Sequence, residues 1–135
     1  MSAKKTILLV DDDEAVRSVM RRALQRMNYH VLETEDGRGV LRILRSSYVD
    51  AIILDLIMPT QEGIETLIEI QREGFRVPVV VVSGGGHVLP GTYLQVAHNL
   101  GASAMLSKPV DLILLEGTLR KLISGPREAE SSSVA

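Results

Sequence analysis

Four apolar runs in this sequence each end on residues able to do chemistry. Ile7-Leu8-Leu9-Val10 leads into Asp11-Asp12-Asp13, Ala51-Ile52-Ile53-Leu54 into Asp55, Val79-Val80-Val81-Val82 into Ser83, and Ala104-Met105-Leu106 into Ser107-Lys108-Pro109. Asp55 is the centre of the set. The run that carries it is too short for a helix, a strand interior has no use for a charge, and Pro59 after Met58 stops regular structure. A carboxylate delivered to a sheet edge beside other carboxylates, a hydroxyl and an ammonium is equipped to attack phosphorus. Three carboxylates gathered there repel one another, each close pair costing on the order of a few kcal/mol at moderate dielectric. Lys108 supplies one compensating charge, and a divalent cation would supply two. All-oxygen ligation by carboxylates and water suits Mg²⁺, which takes phosphate oxygens as further ligands. On this chemistry Asp55 is a phosphoryl acceptor, Mg²⁺ and Lys108 neutralise the transferring oxygens, and Ser83 hydrogen-bonds one of them.

The elements that must position these groups follow from periodicity. From Glu14 the pattern turns helical, with Val16, Val19, Met20, Ala23, Leu24 and Met27 on one stripe and Arg17, Arg21, Arg22 and Arg26 off it, most simply a solvated face. Asp12 or Asp13 can cap that helix. His30 to Thr34 reads as a more polar strand at a sheet edge, with nothing at its carboxyl end to match the others. A helix beginning at Asp36-Gly37 carries Val40, Leu41 and Leu44, and a third carries Ile64, Leu67 and Ile68 and stops at Glu73-Gly74. The all-valine run after Pro78 suits a central buried strand. Ser83-Gly84-Gly85-Gly86-His87 reads as a permissive loop. A weaker helix on Tyr93, Leu94, Ala97 and Leu100 and a last one on Leu112, Leu115, Leu119 and Leu122 complete the chain. Strand and helix alternate throughout, which implies right-handed βαβ units: an α/β, doubly wound parallel sheet with helices on both faces and its site beyond the carboxyl ends of the strands. In the order 2-1-3-4-5 the four contributing strands are neighbours at roughly 5 Å spacing, so their side chains can meet.

Composition narrows the classes. The 135 residues suit one domain, expected over residues 1–124, with 125–135 as a polar, disordered tail or the start of a linker. A net charge of −2 favours neither nucleic acid nor an anionic membrane. The absence of cysteine removes disulfides and thiolate chemistry, and one Phe, three Tyr and no Trp leave no stacking platform for single strands. No apolar run reaches signal-peptide or membrane-spanning length, so a cytoplasmic protein is expected.

The chain resembles a response-regulator receiver domain of bacterial two-component signalling. The resemblance covers about Lys5 to Ile123 and rests on four separated motifs: Val10-Asp11-Asp12, Asp55-Leu56-Ile57-Met58-Pro59 with Gly63, Val82-Ser83-Gly84, and Lys108-Pro109. It implies the flavodoxin-like five-stranded sheet in the order 2-1-3-4-5, which receivers themselves exemplify. It also implies that Asp55 takes phosphate from the phosphohistidine of a histidine kinase or histidine phosphotransfer protein. Asp12 would bind Mg²⁺ directly, Asp11 mainly through water, and the Ile57 backbone carbonyl would join Asp55 in completing the ligands. Ser83 would sense the phosphoryl group, Lys108 would pair with it, and the Lys108–Pro109 peptide would be cis. Such a protein assists its own phosphotransfer and dephosphorylation without being an enzyme. It switches a surface of helix four, strand five and helix five, which is also a candidate homodimer face. Met105 stands where the family often has Tyr or Phe, which excludes an aromatic switch. The glycine triplet predicts an open pocket and fast hydrolysis of the phosphoryl group.

Two other readings use the same residues. In a phosphatase of the haloacid-dehalogenase type, Asp11 and Asp13 would form the Asp-x-Asp pair, with Asp11 as nucleophile and Ser83 and Lys108 following. That leaves Asp55 without a task, and no second acidic pair follows a strand after Lys108. In a pseudo-receiver the fold would bind a partner without being phosphorylated, which the intact set of residues argues against. Singly, Asp11-Asp12-Asp13 would be a helix cap, Ser83 a turn residue, Lys108 a solvated lysine, and His30, His87 and His98 surface histidines.

Overall fold

The computed structural model describes residues 4–56, 62–84 and 91–124. Strands β1 (Thr6–Val10), β2 (His30–Thr34), β3 (Ala51–Asp55), β4 (Val79–Gly84) and β5 (Ala104–Lys108) alternate with helices α1 (Glu14–Arg26), α2 (Gly37–Ser46), α3 (Glu62–Arg72), α4 (Gly91–Asn99) and α5 (Leu112–Ser124). All strand pairs are parallel, in the order β2-β1-β3-β4-β5. The expected doubly wound sheet is the fold observed.

Alternation within the strands divides the core into two layers. Leu8, Val10, Ile52, Leu54, Val79 and Val81 face α2, α3 and α4 through Val40, Leu44, Leu67, Ile70 and Ala97. Ile7, Leu9, Ile53, Val80 and Val82 face α1 and α5 through Leu24, Leu115 and Leu119. This two-sided burial is why the runs are continuously apolar. β2 and β5 are the two edges, and β2 is exposed or half-buried along its length.

Local chemistry sets where the helices start. Asp13 caps α1 by accepting from the N–H groups of Ala15 and Val16 at 2.9 and 3.2 Å. Asp36 caps α2 through the Gly39 N–H at 2.9 Å, and Asp111 accepts from Ile113 and Leu114 at the start of α5. At the other end of α4, Gly101 turns the chain at φ 100°, a conformation that glycine adopts without strain.

Two expectations are corrected. Ser83 and Gly84 do not open a loop: they extend β4 and pair with Ser107 and Lys108. That places Ser83 on a hydrogen-bonded strand. The stripe on α1 is also not uniformly core, because Leu24 is fully buried whereas Val19 is 69% exposed. The amino-terminal half of α1 stands over a cavity instead of over packed side chains. Residues 125–135, read as a tail, and Ile57, Met58, Pro59, Gly85, Gly86 and His87 lie outside the described residues.

Candidate functional site

Strand register brings the chemistry together. β1 pairs Val10 with Leu54, so the next residues, Asp11 and Asp55, stand at the same level on neighbouring strands. β3 pairs Asp55 with Val82, one step before Ser83, and β4 pairs Gly84 with Lys108. The Lys108 ammonium reaches back across β4 to lie 3.1 Å from Asp55 Oδ2 and 3.7 Å from Asp11 Oδ2. One carboxylate oxygen from each of Asp11, Asp12 and Asp55 lies within 4.8 Å of the other two. Asp11 and Asp55 are each only 4% exposed, Ser83 is buried, and Asp12 opens to solvent. The Lys108–Pro109 peptide is cis.

Charge in this cluster is only partly offset. Three carboxylates and one ammonium leave two negative charges in excess, the complement of a divalent cation. Burial first, and the Asp55 carboxylate after it, push the Asp11 carboxyl above its ordinary value, against the opposing pull of the Asp13 N–H and Lys108. Two buried oxygens, one exposed one and no nitrogen or sulfur donor make a set fitted to a hard, hydrated cation.

The three consecutive aspartates have separate tasks. Asp13 spends its carboxylate on the helix cap, and its own N–H donates to Asp11 Oδ1 at 2.9 Å. Among the described residues, Asp11, Asp12 and Asp55 form the one acidic group compact enough for a metal. The Asp11–Asp13 pairing needed for a phosphatase is therefore not what the fold builds.

Sequence reasoning missed a second layer beneath these ligands. Arg17 does not belong to a solvated face: it is half-buried and donates from Nη1 to the Asp11 backbone carbonyl at 2.7 Å. Its Nε bonds Glu33 Oε1 at 3.3 Å, while Arg21 holds Glu33 Oε2 at 2.7 Å. The edge strand β2, expected to offer nothing, thus supplies Glu33. A signal was available: an acidic residue inside a half-buried strand needs a cation, and α1 carries several.

Beside the cluster, a cavity of about 480 Å³ runs between α1 and α5. Val16, Val19, Met20, Val110 and Leu112 line it, and it reaches Asp11, Asp55 and Lys108. His30 and His98 are exposed, and Met105 is exposed on β5.

The family described as the response regulator receiver domain matches residues 7–120 of this sequence. The chain belongs to that family. Among relatives of this receiver domain, response regulator MprA of Mycolicibacterium vanbaalenii is 34% identical over 117 residues, covering 87% of this chain and 49% of the relative. Response regulator RR06 of Streptococcus pneumoniae is 35% identical over 117 residues, covering 87% and 52%. The chain spans about half the length of the curated relatives it matches. Among solved structures, the chemotaxis protein CheY4 of Vibrio cholerae superposes with a TM-score of 0.78 at 27% identity, over 89% of this chain and 99% of that one. The protein is a CheY-like receiver domain of the response regulators, the phosphoacceptor class of two-component signalling; neither the phosphatase nor the unphosphorylated module is supported. Among the described residues no helix is long and apolar enough to cross a membrane.

Proposed function

We propose that Asp55 is the residue that accepts the phosphoryl group, from a phosphohistidine on a sensor histidine kinase or a histidine phosphotransfer protein. The observation that carries this reading is the Lys108 ammonium held 3.1 Å from a buried Asp55 beside two further carboxylates. In the transfer the phosphorus–nitrogen bond of the donor breaks as an Asp55 oxygen bonds phosphorus, and the departing nitrogen keeps the electron pair.

Asp11, Asp12 and Asp55 would hold Mg²⁺, with the Ile57 backbone carbonyl as the further ligand the family pattern adds. When bound, Mg²⁺ supplies charge neutralisation at the oxygens of the transferring group. Lys108 exchanges its carboxylate partner for a phosphoryl oxygen, which keeps its charge paired before and after transfer. Ser83, fixed on β4, hydrogen-bonds another of these oxygens. The protein chain is consumed and regenerated in this cycle, so it acts as a phosphoacceptor and not as a turnover enzyme.

The apolar cavity and the exposed Val19, Leu112 and Ile113 beside it give the donor protein a face on α1 and α5 from which to reach Asp55. On the other side of the site, Val96 and Met105 are partly exposed on α4 and β5. They belong to the α4-β5-α5 surface through which phosphorylation would switch an effector, an output domain or a second copy. With Met105 at the centre, that relay works by a flexible thioether filling space rather than by an aromatic ring. The receiver unit is residues 1–124, with 125–135 a tail or linker, and the protein works in the cytoplasm.

Beryllofluoride with Mg²⁺ imitates the phosphoryl group and tests this directly. At a hundredfold excess over its Kd it should add about 2.7 kcal/mol to the stability of the wild type, and nothing to Asp55→Asn. No thermal response in the wild type would favour an unphosphorylated binding module.

A further inference from the structure

Every polar group of Asp11 has a partner. Its N–H donates to the Thr34 carbonyl on β2 at 3.3 Å, its Oδ1 accepts from the Asp13 N–H, and its Oδ2 faces Lys108. The fourth group, the backbone carbonyl, lies past the end of β1 and before the first turn of α1, where Asp13 is the first carbonyl to accept a helical bond, from the Arg17 N–H. A buried carbonyl at such a junction needs a donor from elsewhere. The Arg17 guanidinium provides it, so one residue closes the first turn of the helix with its backbone and grips the strand end with its side chain.

The grip is braced. Side-chain exposure rises outward along the network, from 15% at Arg17 through 25% at Glu33 to 35% at Arg21, so the bond nearest the site is the best shielded from water. Glu33 uses both oxygens, one on each arginine, which fixes the Arg17 fork in its plane.

We propose that Arg17 is a positioning residue for the cation site: by holding the Asp11 carbonyl it sets the plane of the Asp11–Asp12 peptide, and through it the direction in which both carboxylates leave the backbone. The inference rests on the reading of Asp11 and Asp12 as cation ligands. It gives β2 a second hold on Asp11, beside the Thr34 carbonyl that accepts the Asp11 N–H. The sign of the effect separates positioning from plain electrostatics. Coulomb attraction alone makes loss of a nearby positive charge tighten Mg²⁺ binding, because the acidic cluster becomes more negative. Loss of positioning weakens it, and outer groups that orient metal ligands are commonly worth ten- to a hundredfold in affinity.

Calorimetric titration of the whole chain with Mg²⁺ alone reads this, with melting in EDTA as the check of folding. Arg17→Met is expected to weaken Mg²⁺ binding about tenfold or more. Arg17→Lys, which keeps the charge and loses the fork, is expected to remain nearly as weak. If Arg17→Met does not fold, Arg21→Met, which removes a positive charge and one of the two partners that hold Glu33, is expected to weaken binding against the Coulomb sign, and unchanged or tighter binding in it overturns the proposal likewise. Unchanged or tighter binding in Arg17→Met, or full recovery in Arg17→Lys, overturns the proposal and leaves Arg17 as a structural tie between α1 and β2. Asp12→Asn distinguishes the two levels of the argument. If it too binds Mg²⁺ as the wild type does, the reading of the cation site itself fails; if it loses binding while Arg17→Met does not, the positioning role alone fails.

Discussion

The two faces of the sheet are finished differently. On the face of α2, α3 and α4 the helices sit tight: a Cβ at Gly39 would overlap the Thr34 hydroxyl, and one at Gly37 the Thr66 hydroxyl. On the face of α1 and α5, apolar residues at good helical spacing are left uncovered, with Val19 69% and Leu112 44% exposed around a cavity that reaches Asp55. Under the proposed function, the closed face would hold the strand ends and the open face would be the side from which a donor protein reaches them. Apolar periodicity therefore means core on one side of the sheet and, in part, exposed apolar surface on the other.

The largest expected contrast comes from matched truncations. Leu67→Ala on the closed face, where the side chain is buried, should cost about 2–5 kcal/mol in chemical denaturation. Val19→Ala on the open face should stay within about 0.5 kcal/mol yet slow phosphoryl uptake from the partner kinase. Equal losses of stability would erase the distinction between the faces. A smaller effect tests how tightly α2 is seated. Gly39→Ala gains up to about 1 kcal/mol of helix propensity but meets Thr34, and overpacking of about 1–3 kcal/mol should win. A stabilised Gly39→Ala would show that the closed face yields.

The smallest effect concerns Asp11, whose burial beside Asp55 raises its folded-state pKa. The folded protein then holds that proton more firmly than the unfolded chain. The contribution of Asp11 to stability is thus full below the ordinary carboxylate range and lost as pH rises through the raised value. In EDTA at neutral pH, Asp11→Asn should melt higher than the wild type, and the difference should shrink as pH falls through that range. A variant that melts lower at neutral pH would mean the buried charge is already compensated without a cation.

Much of this was legible in the sequence because parallel strands buried on both faces read as unbroken apolar runs, and the sites of such sheets stand at strand ends. Asp11, Asp12, Asp55, Ser83 and Lys108 follow from that rule alone. What periodicity could not separate was Val19 from Leu24, since both occupy the same stripe and differ only in what α5 leaves uncovered. Nor could it show that Ser83 and Gly84 continue β4, because their conformation is set by pairing with Ser107 and Lys108 across the sheet. Arg17 and Glu33 escaped for a related reason. Glu33 did carry a signal, a carboxylate inside a half-buried strand, but which arginines answer it is set by how α1 lies beside β2.

The central claim is that Asp55 carries the phosphoryl group, and labelling with a small phosphodonor in Mg²⁺, read by intact mass, tests it most directly. The wild type should gain a single phosphoryl group and Asp55→Asn none. Uptake retained in Asp55→Asn and lost in Asp11→Asn would contradict it.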